Sequence, residues 1–257
     1  MANGDADGLC ALQQLRLAHP RAATLVTGVK RDISLLQRVR AGAGDAVAVL
    51  DISVDRNEAA LLRLLAAGAR VLYVDHHHAA RPPGHPNLRL VLDTRHGTCT
   101  SALVDGLLGG RHRAWAAVGA FGDALAPLGQ RFAADCGYAP ADIARLQALG
   151  EAINHNAYGE SPADLLIEPA ALFARMQAHA DPLAFITSDP VAPELVAQRD
   201  GDLARALAVP ASHASARTRL HQLPDAAWAR RAHGPLANVL ADRDPARAVA
   251  EIGRAHV

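Results

Sequence analysis

Val71-Leu72-Tyr73-Val74-Asp75-His76-His77-His78 is the stretch on which the reading of this chain turns. Four apolar residues in a row, two of them β-branched, fit a short buried strand, and the carboxylate and imidazoles follow where such a strand would end. In open α/β sheets that carboxyl edge is where ligands bind. A carboxylate beside consecutive imidazoles supplies metal ligands together with a group that orients them. A single histidine is more often an ordinary surface or core residue, and His78 is open to that reading. The run is too short and too internal to be an expression tag.

Working outward, residues 46–50 (Ala-Val-Ala-Val-Leu) read as a second strand of the same kind, with Asp51 directly after it. Residues 23–29 and 88–92 repeat the pattern, the latter followed by Asp93, a lower-ranked edge carboxylate. Helical spacing covers residues 8–18 and 58–67, and Asp55 or Asn57 is placed to cap the second of these. Alternating strands and helices predict an α/β fold with a parallel, doubly wound sheet, whose nearly continuous apolar strands need helices on both faces.

Three further acidic stretches accompany the histidines. Asn3-Gly4-Asp5-Ala6-Asp7-Gly8 sets two carboxylates one residue apart between glycines that permit a tight turn; its alternative is that one Asp caps the following helix. Asp51 is read as a ligand at a strand end, against a turn. Phe121-Gly122-Asp123 follows an apolar stretch and is by itself an ordinary turn signal. Carboxylates mixed with imidazole, without thiolate, suit manganese, magnesium or iron better than structural zinc. Two such ions roughly 4 Å apart lower the pKa of a water and stabilise the attacking and leaving oxygens of a displacement at phosphorus.

Composition narrows the partners. Lys+Arg and Asp+Glu are both 26, Lys30 is the single lysine, and aromatic residues are 4%, so no strongly basic face is implied and a long nucleic acid is disfavoured. Cys10, Cys99 and Cys136 are scattered and odd in number, which gives neither a disulfide framework nor a zinc knuckle and suits a reducing cytoplasm. No apolar stretch is long enough to span a membrane, and no signal pattern opens the chain.

The order Asp5-Ala6-Asp7, Asp51, Asp75-His76-His77, Gly122-Asp123 resembles the four motifs of the DHH phosphoesterases, a family that includes RecJ-type exonucleases, oligoribonucleases and manganese pyrophosphatases. The match spans about half the chain. The resemblance implies that Asp5, Asp7, Asp51, His76 and Asp123 ligate two manganese ions, with magnesium as the alternative, and that Asp51 bridges them. It makes His77 and Asp75 the catalytic pair, His77 on the substrate phosphate or an ion and Asp75 orienting the histidines. Residues 97–102 (Gly-Thr-Cys-Thr-Ser-Ala) resemble the hydroxyl-rich start of a helix in the family, so Thr100 and Ser101 are candidate substrate contacts, against simple capping. Lys30 and Arg31 can touch phosphate or form a solvated charge pair. Where many family members carry a histidine four residues before the first aspartate, this chain has Met1. Nothing matches the family's C-terminal Gly-Gly-Gly-His type loop.

These readings divide the chain into a DHH catalytic domain over residues 1–126 with its first strand largely missing, a helical connector over 127–215, and the start of a second small α/β domain over 216–257. Both ends read as clipped, and the last six residues resemble a translated sequencing adapter, an assembly artefact. The function expected is a metal-dependent phosphoesterase acting on a nucleotide or short oligonucleotide. The alternatives are a RecJ-like single-strand exonuclease and a non-catalytic nucleotide- or metal-binding module. An oligomer is compatible with the sequence, and a membrane partner is not expected.

Overall fold

The computed structural model describes residues 1–253; residues 254–257, most of the adapter-like tail, lie outside them. Three parallel strands, β1 (Ala46–Leu50), β2 (Arg70–Asp75) and β3 (Leu88–Leu92), form a sheet in that order. Met1 to Asn3 extend it: Leu50 N–H donates to Met1 O at 3.1 Å and Asn3 N–H to Leu50 O at 3.2 Å. Residues 23–29, expected as a strand, form no regular strand. Their one backbone bond to this short segment is from Ala2 N–H to Val26 O at 3.1 Å, and a single rung does not make a ladder.

Alternation along the strands explains the layers. Val49, Val71 and Tyr73 face one core with Leu61, Leu64 and Leu65 of α2 (Val54–Ala66). Leu50 and Val74 face the other, with α1 (Ala6–Ala18) and α4 (Arg113–Gly122), so helices cover both faces as the apolar strands require. The expected caps of α2 are corrected: Ser53 occupies the cap position, while Asn57 is buried, holding Ser53 O, Ile33 O and Leu36 N–H, and Asp55 accepts from Ala80 N–H. Asn57 lies one turn inside the helix, where its amide serves the loop at 33–36 instead.

Helix α4 is buried on every side from Trp115 to Gly122. It packs closely because Gly122 has no Cβ: one would stand 2.3 Å from Ala6 Cβ and 2.8 Å from Gly150 O. That approach brings the end of α4 to the start of α1, and hence Asp123 to Asp7. Helix α3 (Thr100–Leu107) precedes it; after it come α5 (Ala126–Asp135), α6 (Pro140–Ala157), α7 (Pro169–Met176), α8 (Pro182–Ser188) and α9 (Val191–Ala208), the helical stretch read from sequence.

A second sheet follows, β4 (His213–Ala214), β5 (Thr218–Leu223) and β6 (Ala248–Gly253), with α10 (Ala227–Ala232) and α11 (Pro235–Arg243) between its last two strands. Strand β5 is central, antiparallel to β4 and parallel to β6. Strand β5 lies inside the stretch 216–257 read as the start of an α/β unit, but Thr-Arg-Leu-His-Gln-Leu lacks the continuous apolar run that marks the strands of the first sheet. Among the described residues, no helix is long and apolar enough to cross a membrane.

Candidate metal centre

The carboxyl edge of the first sheet gathers the acidic motifs. Asp51 ends β1 in the left-handed region, at φ 59°, a conformation a non-glycine residue adopts at a cost and one that recurs at functional sites. It is buried, with Thr100 Oγ1 donating to its Oδ1 at 3.1 Å. Asp7, in the first turn of α1, accepts the backbone N–H groups of Thr100 at 2.7 Å and Ser101 at 2.8 Å. The start of α3 thus binds an anion, and that anion is the protein's own carboxylate. Thr100 and Ser101, expected as candidate substrate contacts or as simple caps, are completely buried and hold Asp7 and Asp51 through these hydrogen bonds.

His76 Nε2 is the point of convergence. It lies 3.4 Å from Asp51 Oδ1, 3.8 Å from Asp123 Oδ2 and 4.0 Å from Asp7 Oδ2. Donor atoms around a divalent ion at about 2.1 Å stand roughly 3 Å apart or slightly more, so the Asp7-His76-Asp123 donors, all within 4.8 Å of one another, need to contract to surround one cation. Two triads of candidate donors stand out among the described residues, Asp7-His76-Asp123 and Asp51-His76-His77, and both use His76.

The electrostatics call for positive charge. Burial, with Asp5 and Asp7 adjacent, pushes the Asp51 carboxyl well above the usual range. Burial and the Asp7 charge raise Asp123 to about 7. Burial alone would lower His76, but its contact with Asp51 and the charges of Asp7, Asp51 and Asp123 outweigh it and raise the imidazole to about 10. The groups hold protons because a dry cluster of carboxylates cannot stay fully ionised, and a divalent cation answers the same need.

Asp75 is fully buried behind the histidines. Its Oδ1 accepts from His76 N–H at 2.9 Å and from His77 Nδ1 at 2.7 Å, while Oδ2 has no partner. A carboxylate only accepts, so Nδ1 of His77 carries the proton and Nε2 is left free. His77 is 45% exposed, open to a ligand; His78 is exposed and has no part in the cluster. Asp93 pairs with the exposed Arg95 and stays outside it.

Asp5 differs from the expected ligand set. Its Oδ1 caps α1 by accepting from Gly8 N–H at 3.0 Å, and its Oδ2 accepts from Lys30 Nζ at 2.7 Å. Lys30 is neither solvated nor paired with its neighbour, since Nζ also donates to Asn154 Oδ1 at 2.9 Å and lies 5.2 Å from the Tyr158 ring centre. Arg31 turns away to Glu160 at the surface, 3.3 Å distant. Sequence reasoning missed Asn154 and Tyr158 altogether, for nothing local marks two residues at the end of α6 as neighbours of an aspartate about 150 positions earlier.

No family model matches the sequence, and no curated protein matches it. Solved structures do. Exonuclease RecJ bound to manganese aligns with 98% of this chain and 74% of its own length, at 17% identity and TM-score 0.58. The chain has the RecJ fold. RecJ in complex with Mn2+ from Thermus thermophilus aligns at 18% identity and TM-score 0.56, and there this chain spans 43% of the longer protein. A RecJ-like fold is what the four acidic and histidine motifs implied.

Proposed function

We propose that this chain is a metal-dependent phosphoesterase of the DHH type, hydrolysing phosphodiester or phosphomonoester bonds of a nucleotide or short oligonucleotide. The observation that carries this reading is the convergence of Asp7, Asp51 and Asp123 on His76 Nε2 within 4.0 Å. That donor set fits a divalent cation, manganese or magnesium, which when bound polarises the phosphate and makes water a nucleophile at neutral pH. The two candidate donor triads, Asp7-His76-Asp123 and Asp51-His76-His77, support a divalent-metal site in this reading.

The chain's own residues do the rest. Asp75 holds the His77 imidazole with its proton on Nδ1, so that the Nε2 lone pair is left to accept a proton from a reacting group. Thr100 and the start of α3 fix the acidic side chains in place before substrate arrives. Low aromatic content and a single lysine favour short substrates over a long strand, which needs stacking platforms and a basic channel.

The RecJ likeness supports a second reading, a single-strand exonuclease, and a ladder of substrate lengths separates the two. Mononucleotides, dinucleotides, and 5-mer and 30-mer DNA are incubated with the full chain and Mn2+, with Asp51→Asn as control. Asn tolerates the left-handed backbone at this position. Turnover on the shortest substrates, reduced roughly 10³-fold in the variant, is expected. Turnover confined to the 30-mer establishes the exonuclease, and Mn2+ binding without any turnover establishes a non-catalytic binding module.

A further inference from the structure

The contacts of Lys30 reach into the proposed metal centre, and the inference drawn from them rests on that reading. Asp5 has no oxygen free of a partner: Gly8 N–H occupies one and the Lys30 ammonium the other. Asp5 lies within hydrogen-bonding reach of Asp51, and the Lys30 charge acts on Asp51 as well as on Asp5. The ammonium therefore stands where a cation bound to Asp5 Oδ2 would otherwise have to sit.

Its position is built. Lys30 N–H is anchored to Ala157 O at 2.9 Å, Nζ donates to Asn154 Oδ1, and the Tyr158 ring lies 5.2 Å away, so the end of α6 supplies a cradle for the charge. The side chain is only a quarter exposed. Meanwhile the two candidate donor triads share one residue, His76, and each imidazole lone pair serves one ion.

We propose that the Lys30 ammonium is a resident substitute for a second metal ion, so that the site takes one divalent cation, held by Asp7, Asp51, His76 and Asp123. Fixed positive charge on the Asp5 side replaces an exchangeable ion, while the other position stays open to metal.

The test is Mn2+ alone added to the full chain, counted by calorimetry and examined by electron paramagnetic resonance. One equivalent with the six-line spectrum of an isolated ion is expected. Two equivalents with an exchange-coupled spectrum overturn the substitution while leaving the metal-enzyme reading intact, and no binding by the folded chain removes both. In Lys30→Met the count should rise toward two, and Lys30→Arg, which keeps a positive charge, should hold it at one. A Lys30→Met chain that is folded by circular dichroism yet keeps both the wild-type count and affinity also overturns the proposal.

Discussion

Two groups of acidic residues in this molecule are treated differently. Near the second sheet, Asp202 on α9 accepts from His155 Nε2 at 3.0 Å and Arg231 Nε at 2.8 Å, and Asp164 accepts from Arg230 at 2.7 Å. Each carboxylate there has a guanidinium of its own. At the edge of the first sheet, Asp7, Asp51 and Asp123 share one imidazole and no arginine. Matched pairs fasten α6, α9 and α10 together. An unmatched cluster has little structural use and has to be completed from outside, which is what marks it as a site.

The largest expected effect that sharpens this contrast is on stability. Arg231→Met leaves Asp202 buried with His155 alone, and a broken buried pair costs about 3 kcal/mol. Chemical denaturation should register that loss, while Mn2+ uptake by the folded variant stays at the wild-type level. Weakened metal binding with unchanged stability would erase the distinction between the clusters. His77→Asn acts in the opposite sense: stability and metal uptake should hold, because His77 is half-exposed and leaves the Asp7-Asp51-Asp123-His76 set untouched. The hydrolysis rate should fall about 10²-fold, a typical loss for a proton-transfer or phosphate-contact group. An undiminished rate would assign His77 a merely local role beside Asp75.

The smallest effect is on pH dependence. Burial alone would raise the Asp202 carboxyl, but hydrogen bonds from His155 and Arg231 and the Arg231 charge outweigh it and hold it below the usual range. Asp164 is lowered too, first by its hydrogen bond from Arg230. A carboxylate with a depressed folded pKa adds stability that is full above its unfolded value of about 3.9 and is lost as pH falls through the folded one. Acid unfolding curves should therefore show a loss below about pH 4 that shrinks when Asp202→Asn and Asp164→Asn are combined. A curve unchanged by the double variant would mean that other carboxylates carry the acid sensitivity.

Strands β1 to β3 were legible because each is a short apolar run, and their terminal acids were legible as edge residues. Thr218–Leu223 was not, since its polar alternate positions hide a central strand in a half-exposed sheet. Asp7 and Asp123 were readable as candidates, but their meeting depends on Gly122, whose missing Cβ lets α4 close on α1. The hydrogen bonds of Thr100 and Ser101 to Asp7 and Asp51 were not legible, because they join residues 49 to 94 positions apart in sequence.

By itself, the amino-acid order determined the parallel α/β layering and the set of acids and histidines at strand ends, because periodicity and strand polarity are local properties of the chain. Only the tertiary structure decided how those groups are shared out: Asp5 to Lys30 and the start of α1, Asp75 to His77, and Asp7, Asp51 and Asp123 to His76. Partnership among buried charges depends on distances of a few ångströms between residues far apart in sequence. Those distances are set by how helices pack, and no local pattern encodes them.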